Sequence, residues 1–325
     1  MKIRTEADFD VLVRGAKLVS VAAAWTELGL WDELARRQEP VDLGELPGDR
    51  RALEITAPIL AHAGLLDGDG RLWAMSARAR EMHERGELPT GRNLQWMEDL
   101  SRMAVVLREG GPVRDATGKP RVTSGGVVPD DREATRRFLD MLYRRSAGSA
   151  REVADWLAPR LPEGAHFVDV GGGHGRYAAE MVERGYTATL FDQPLVIELA
   201  RERHGDGLGY REGDFHRDDL GGPYDAAFLS NVVHGESETD NARLVERLHG
   251  ALRPGGWIVI KDMFLDELGR EPENAVFFGA TVLFYTALGR SYTIAEVDAW
   301  CRQAGLNPAE TIAVAEYTLV LARKP

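Results

Sequence analysis

The segment VDVGGGHG, residues 168–175, places a run of glycines between a β-rich run and a helical pattern. Glycine lets the backbone approach a ligand where a Cβ would clash, and an open α/β sheet binds its ligand at such a strand-to-helix turn. The glycines are Gly171, Gly173 and Gly175, whereas position 176, the third glycine of a dinucleotide loop, is Arg176. This spacing predicts a cofactor loop that departs from the dinucleotide pattern, and Asp169, just before it, is a candidate cofactor-binding residue.

Polar residues follow two further β-rich runs. Asp192, with Gln193 beside it, ends TATLFD and can accept hydrogen bonds from both hydroxyls of a ribose, although a turn aspartate before Pro194 would look the same. In GDF, residues 213–215, Asp214 can accept from an adenine amino group while Phe215 packs on the ring. With the glycine loop, three successive strand ends predict a nucleoside cradle.

The elements that must position these residues begin near residue 165. Strands are predicted at 166–170, 187–192, 208–214, 224–233 and 257–262, with helices between them. This alternation predicts an α/β fold with a doubly wound, largely parallel sheet. The tail, residues 310–323, has two β-rich runs with no helix between them, which predicts an antiparallel hairpin at the sheet edge.

The first part of the chain predicts a mainly helical domain. Helical patterns over residues 10–63 precede two short strands around the turn Asp67–Gly70, which together suggest a winged helix. Residues 1–90 carry 12 Lys and Arg against 16 Asp and Glu, so a dimerisation role fits better than DNA binding.

An irregular connector follows this helical domain. Residues 85–135, punctuated by Gly125-Gly126, predict such a connector with one helix near 92–108, and a long helical run is expected from Arg132 to Leu157. The predicted domains are therefore 1–100 for dimerisation, 101–150 as a helical connector contributing to an acceptor pocket, and 151–325 for the cofactor.

Composition excludes several classes of protein. The chain has 325 residues and a formal net charge of −12, which disfavours nucleic acids and anionic membranes as partners. The single cysteine, Cys301, forms no intramolecular disulfide and no cysteine-rich zinc site, and no metal site is expected. The N-terminus shows no apolar signal core, and the longest apolar-looking stretch, 275–288, is shorter than the ~20 residues of a membrane span. A cytoplasmic protein is expected.

Over nearly its full length the chain resembles the plant caffeate-type O-methyltransferase family and its bacterial natural-product members, and its G-x-G-x-G loop is similar to that of class I S-adenosylmethionine (SAM) methyltransferases. The segments that carry the resemblance are VDVGGGHG (168–175), FDQPLVI (191–197), GDF (213–215), SNVVH (230–234), ALRPGGWIVIKD (251–262) and TIAEVDAWCRQAGL (293–306). The resemblance implies a Rossmann-like SAM domain, an N-terminal winged-helix dimerisation domain, a homodimer, and S-adenosylhomocysteine (SAH) as the cofactor product.

The resemblance also assigns the catalytic residues. His234, just after the fourth strand, falls at the family's general base, and Asp262 falls at the acid that orients it, with Asp in place of the family's Glu. A phenol with a pKa near ~10 is mostly protonated at pH 7, and a histidine with a pKa near ~6.5 can take that proton during attack.

Three family features are absent from this sequence. Ser291 stands where a second glutamate would be, Gly235-Glu236 replaces an Asp-Trp pair after the base, and Ser230 replaces a cofactor-contacting lysine. Ser230 remains a cofactor-binding candidate because its hydroxyl can donate a hydrogen bond. His174, inside the glycine loop, is interpreted as an ordinary loop side chain.

The acceptor pocket is assigned to the helix NAVFFGATVLFYTALG, although an aromatic-rich stripe on a helix is more often core than pocket. The candidates share one helix face or resemble pocket-lining positions, and are Met141, Leu142, Phe278, Thr281, Val282 and Tyr285. Together they indicate a flat, apolar acceptor such as an aromatic phenol. Three alternatives stay open: methyl transfer to carbon, nitrogen or a carboxylate, a SAM-binding relative without methyl transfer, and a DNA-binding regulator.

Overall fold

The computed structural model describes residues 2–37, 39–115, 117–120, 131–314 and 317–325. The chain divides into two compact units, Met1–Ala104 and Val105–Pro325. Of the predicted connector, position 116 and residues 121–130, with the predicted Gly125-Gly126 break, lie outside the described residues.

The first unit combines helices with a small antiparallel sheet. Its elements are α1 (Glu6–Glu27), α2 (Leu30–Arg36), β1 (Val41–Asp42), α3 (Arg50–His62), β2 (Leu66–Gly68), β3 (Leu72–Met75), α4 (Ala77–Glu84) and α5 (Gly91–Ser101). The strands pair in the order β1-β3-β2. Trp25 and Trp31 are fully buried in its core, with ring centroids 5.4 Å apart.

Helix α6 (Met103–Glu109) spans the division between the two units, and the remaining elements belong to the second unit. Its elements are α7 (Arg132–Arg145), α8 (Ala147–Leu157), β4 (His166–Val170), α9 (Arg176–Glu183), β5 (Thr187–Asp192), α10 (Pro194–His204), β6 (Gly209–Glu212), β7 (Tyr224–Ser230), α11 (Glu238–Ala251), β8 (Leu252–Asp262), α12 (Glu273–Tyr285), α13 (Ile294–Gln303), β9 (Glu310–Val314) and β10 (Tyr317–Arg323). This alternation of strands and helices is the predicted α/β fold.

The sheet of the second unit has the strand order β6-β5-β4-β7-β8-β10-β9. Strands β6, β5, β4, β7 and β8 are parallel, whereas β10 runs antiparallel to β8 and to β9. The predicted mostly parallel sheet with an antiparallel hairpin at its edge is confirmed. The strand order reverses between β4 and β7, and at such a point the carboxyl ends of parallel strands open a crevice for a ligand.

Alternate residues of the central strands face two separate apolar layers. In β7, Phe228 packs with Phe167 and Val259 on one face, while Leu229 packs with Ile260 on the other. The near-continuous apolar strands are explained by this double burial, because helices cover both faces of a parallel sheet. The rigid sheet fixes where each strand ends, and thereby the site.

Two predicted helical segments differ from the structure. The single helix expected near 92–108 is two helices, α5 and α6, separated at Arg102. The run expected from Arg132 to Leu157 is also two helices, because the chain ends α7 and restarts α8 at Ser146. Among the described residues, no helix is long and apolar enough to cross a membrane.

Candidate active site

The glycine loop between β4 and α9 adopts a backbone that only glycine takes easily. Gly171, Gly173 and Gly175 have φ angles of +66°, +55° and +71°, in the left-handed region. A Cβ on Gly171 would lie 2.9 Å from a methyl group of Val232 and 3.7 Å from the Phe215 ring. The loop therefore presents bare backbone at the carboxyl edge of the sheet.

Asp192, the last residue of β5, holds this loop in place. One carboxylate oxygen accepts the Gly173 N–H at 2.8 Å and the other accepts the Gln193 N–H at 2.7 Å. Pro194 starts α10 directly afterwards, which fixes the turn in which Gln193 donates. Burial raises the pKa of Asp192 to about 6. Each oxygen has a second lone pair, so the predicted hydrogen bonds from ribose hydroxyls remain available.

The carboxyl group of Asp169 is buried, and no described side chain donates a hydrogen bond to it. The residue is 0% exposed, and neither carboxylate oxygen has a regular hydrogen bond. Burial, and then the charge of Asp192, raise its pKa to about 8, which the Ala178 backbone N–H only partly offsets. A buried carboxyl of this kind is stabilised by a nearby cation. SAM carries a sulfonium and an ammonium group, so the residues at this loop fit that cofactor.

The segment after β6 brings a ring against the glycine loop. The Arg247 guanidinium donates to the Phe215 carbonyl at 3.0 Å and so fixes the segment from α11. Phe215 is consequently placed beside Gly171, as the nucleoside cradle requires. The Asp214 carboxylate accepts the His216 backbone N–H at 2.9 Å and remains partly exposed.

Ser230 ends β7 next to the buried phenol of Tyr177. Burial raises the pKa of Tyr177 to about 12, while the hydrogen bond between its hydroxyl and the Ser149 hydroxyl, 3.0 Å apart, lowers it in part. Ser230 follows Phe228, the partner of Asp169 on β4, by two residues, so it lies level with the glycine loop. The Ser230 hydroxyl therefore lies at the carboxyl end of β7, where the sequence placed a cofactor-binding residue.

His234 and Asp262 meet where β7 and β8 end side by side. The His234 Nδ1 atom lies 2.9 Å from one Asp262 oxygen and 3.0 Å from the other. Asp262 also accepts the backbone N–H groups of His234, at 3.3 Å, and of Met263, at 2.8 Å. Asp therefore reaches the histidine although it is shorter than Glu, because the two strands are adjacent and parallel.

The electrostatics of this pair favour a charged carboxylate. Asp262 is 2% exposed, and the side chain of His234 is 19% exposed. Burial by itself raises the pKa of Asp262, but His234 and the Met263 N–H hold it below its ordinary value. An ionised Asp262 keeps the proton of a neutral imidazole on Nδ1 and leaves Nε2 as a proton acceptor.

The six predicted pocket residues lie on α7 and α12. Phe278 lies directly against His234, with ring centroids 4.8 Å apart and planes at 86°. Val282 is buried, with 2% exposure, whereas Thr281 and Tyr285 are half-buried on the same helix. Met141 and Leu142 are half-buried on α7. For all six residues, pocket lining stays a prediction.

Sequence reasoning missed two features of the site. Leu139 on α7 lies 3.4 Å from where a Cβ on Gly173 would be, so α7 covers the glycine loop. His174 is not an ordinary loop side chain: it is 8% exposed, burial lowers its pKa to about 3, and its Nδ1 accepts the Arg176 N–H at 3.1 Å. Neither feature has a sequence signal, because both depend on which helix packs over the loop.

Comparison with known proteins agrees with this geometry. Residues 105–307 match the O-methyltransferase domain family. The chain is 30% identical over 225 residues to the tetracenomycin polyketide synthesis 8-O-methyl transferase of Streptomyces glaucescens, covering 64% of each chain. It is 32% identical to the acetylserotonin O-methyltransferase of Bos taurus, covering 95% of each chain. The crystal structure of human N-acetylserotonin methyltransferase in complex with SAM superposes with a TM-score of 0.79 at 22% identity, covering 100% of this chain and 99% of that one.

The doubly wound sheet, with its glycine loop and the acid that ends β5, has the fold of the SAM-dependent methyltransferases. The family match extends over most of the second unit, and the bovine relative matches along nearly the whole chain. The chain belongs to the O-methyltransferase domain family. The resemblance inferred from the sequence is confirmed. Within the part of the chain that the structure describes, no group of three His, Cys, Asp or Glu residues could hold a metal ion.

Proposed function

We propose that this protein transfers the methyl group of SAM to a hydroxyl of a small aromatic acceptor, with His234 as general base. The observation that carries the proposal is the pairing of His234 with the buried Asp262 at strand ends adjoining the glycine loop. A base at this point serves an acceptor whose proton must be removed, as a hydroxyl requires.

The cofactor residues would hold SAM at the edge of the sheet. The loop 171–175 leaves room for it, Asp192 accepts from the ribose, and Asp214 and Phe215 receive the adenine. The Asp169 carboxyl, whose pKa burial raises to about 8, would be ionised by the positive charge of the cofactor. Ser230 and Gln193 complete the predicted set. When bound, SAM supplies an activated methyl group with a good leaving group.

His234 and Asp262 would handle the proton. His234 Nε2 accepts the acceptor's hydroxyl proton as its oxygen attacks, which avoids the unfavourable free phenolate. Asp262 keeps Nδ1 protonated and stabilises the positive charge that develops on the imidazole. Holding acceptor oxygen and methyl group in line contributes much of the remaining acceleration.

An aromatic acceptor is supported by the residues near the base. Phe278 presents an aromatic ring against His234, and Val282 adds an apolar side chain one turn on. The names of the tetracenomycin and acetylserotonin relatives refer to methylation of such compounds. Helix α12, which carries Phe278 and Val282, is bound to the connector, because the Val113 N–H donates to the Phe284 carbonyl at 2.7 Å.

A homodimer formed through the first unit is also proposed. The first half of α1 leaves large apolar side chains exposed, with Phe9 58%, Val11 57% and Val13 52% exposed. Phe9 and Val13 are four residues apart and so share one helix face. Exposed apolar side chains in this arrangement favour a partner helix.

The deciding experiment is methyl transfer from labelled SAM to a panel of aromatic acceptors by wild type and His234→Ala. We expect the variant to lose at least about a hundredfold in kcat, since general bases contribute about 10²–10⁴-fold, with its SAM affinity unchanged by calorimetry. His62→Ala, at an exposed position on α3, is the matched control. Full phenol methylation by His234→Ala would remove His234 as base, and activity restricted to carboxylate acceptors would favour the alternative acceptor class.

A further inference from the structure

The segment after α12, residues 286–292, packs against the turn that carries the base. A Cβ added to Gly289 would lie 2.2 Å from the His234 carbonyl oxygen and 2.9 Å from the Gly235 carbonyl carbon. Both are backbone atoms, so neither can rotate away as a side chain can. The backbone of Gly289 therefore lies directly against the peptide of the residue proposed as base.

Gly289 is needed here for space alone. Its φ angle lies outside the left-handed region that favours glycine, so the backbone conformation itself would accept alanine. The missing side chain sets how closely this segment approaches His234.

Hydrogen bonds to α12 hold residues 286–292 in their position against the turn that carries His234. The Gly289 N–H donates to Thr286 Oγ1 at 3.1 Å, and that hydroxyl donates to the Val282 carbonyl at 2.9 Å. Two residues on, the Ser291 hydroxyl donates to the Ala275 carbonyl at 3.1 Å. Both ends are thus tied to α12, the helix that carries Phe278.

Residues 286–292 also contact the turn 233–236, which carries His234, at a second point. The Tyr292 hydroxyl donates to the Glu236 carbonyl at 2.7 Å, two residues beyond His234. On the opposite side, the Asn241 amide donates to the Val233 carbonyl at 2.9 Å. The turn 233–236 is therefore held at both ends, and Gly289 lies against its middle.

We propose that Gly289 is a positioning residue for the general base: its close backbone contact sets the height of the His234 imidazole relative to Asp262 and the acceptor. The inference rests on the function proposed above. At position 291, where the resemblance implied a second acid, Ser291 makes a hydrogen bond to α12, so this segment acts on the base through packing and backbone contact.

The test is Gly289→Ala, with Gly250→Ala as control. Gly250 lies on α11, and a Cβ there would meet nothing within 4 Å. Relief of the 2.2 Å contact to an ordinary distance needs a displacement of about 1 Å, and a 1 Å misplacement can lower turnover by about 10²-fold. We expect Gly289→Ala to lose about a hundredfold in kcat, with the Kd for SAH, measured by calorimetry, within about twofold of wild type.

A second readout needs no acceptor. The proton on His234 Nδ1, hydrogen-bonded to Asp262, should give a low-field resonance in the SAH complex, identified by its loss in His234→Ala. We expect this resonance to shift or broaden in Gly289→Ala and to stay unchanged in Gly250→Ala. This readout tests Gly289 even if the wild type methylates no phenol.

Three results would overturn the proposal. Turnover by Gly289→Ala within about threefold of wild type would show that the contact does not matter. Loss of SAH binding together with activity would show that Gly289 serves the fold as a whole. Lost turnover with an unchanged His234 resonance would assign Gly289 to the acceptor pocket and not to the base.

Discussion

Asp262→Asn tests the proposed catalytic pair of His234 and Asp262 without changing the size of the side chain. Asp262 accepts three N–H groups: the His234 imidazole, the His234 backbone and the Met263 backbone. An asparagine has one side-chain oxygen and one amide nitrogen, so one of these donors must face another donor. The amide can also donate to Nδ1, which would place the imidazole proton on Nε2 and remove the proton acceptor.

The size of the effect follows from the burial of the pair. Asp262 is 2% exposed, so little water is available to replace the lost charge. Replacing the acid that orients a histidine base by its amide favours the wrong imidazole tautomer and lowers kcat by up to about 10⁴-fold, and general-base catalysis contributes at least about 10²-fold. We therefore expect kcat to fall by about two to four orders of magnitude.

The assay is methyl transfer from labelled SAM to the best acceptor from the screen, with SAM affinity measured by calorimetry. Affinity should be unchanged, because Asp262 makes no contact with the glycine loop among the described hydrogen bonds. Asp266→Asn is the control, since Asp266 is only half-buried and its carboxylate accepts hydrogen bonds from the backbone N–H groups of Arg270 and Glu271. Retention of more than about a third of wild-type kcat by Asp262→Asn would refute the reasoning.

The same variant gives a prediction for stability. The folded-state pKa of Asp262 lies below its ordinary value of 3.8. Its carboxylate therefore contributes stability above that pH, and the contribution is lost as the pH falls through the folded-state pKa. The difference in Tm between wild type and Asp262→Asn should shrink below about pH 4, and a difference that stays constant there would contradict the assignment.

Four further predictions concern cofactor binding, the strain in the glycine loop and the dimer. Asp192→Ala should weaken SAM binding by about a hundredfold or more, because two charge-assisted hydrogen bonds contribute about 1.5–3 kcal/mol each. The SAM affinity of the wild type should also fall as the pH drops through about 6, where Asp192 becomes protonated. Calorimetry that shows a constant affinity from pH 8 to 5 would count against this pH dependence. Gly173→Ala should lower stability by about 1–2 kcal/mol because of its positive φ, whereas Gly148→Ala, with open space around it on α8, should not; equal denaturation midpoints would contradict the strain. Phe9→Ser with Val13→Ser should convert a dimer into a monomer in sedimentation, and a wild-type monomer would remove the dimer proposal.

The fold was largely predictable because its signals are local. The strands at 166–170, 187–192 and 224–230 read as apolar runs since both faces of the sheet are covered, and the glycines mark the turn after β4. The errors lie where helices meet. The local signal between α7 and α8 is weak, because Ser146 is a residue type that favours helix starts but makes no side-chain hydrogen bond to the first turn of α8.

The candidate site was predictable only in part. Residues at strand ends, such as Asp192, His234 and Asp262, could be proposed from position because parallel strands end at one edge of the sheet. The reach of Asp262 to His234 could not, because it depends on the distance between two backbones. Gly289 could not be found at all, since its contact with His234 joins segments 55 residues apart.

The sequence by itself determined which residues can do chemistry and which strand ends hold them, since residue type and hydrophobic period are local properties of the chain. It determined the glycine loop, the acid that ends β5, and the histidine after β7. Only the tertiary structure decided how these groups lie relative to one another: the Asp262 carboxylate within 3.0 Å of His234 Nδ1, Phe278 against the imidazole, and Gly289 against the backbone of His234. The physical reason is that proton transfer depends on distances of a few tenths of an ångström between groups far apart in sequence, which only the packing of the sheet and its helices sets.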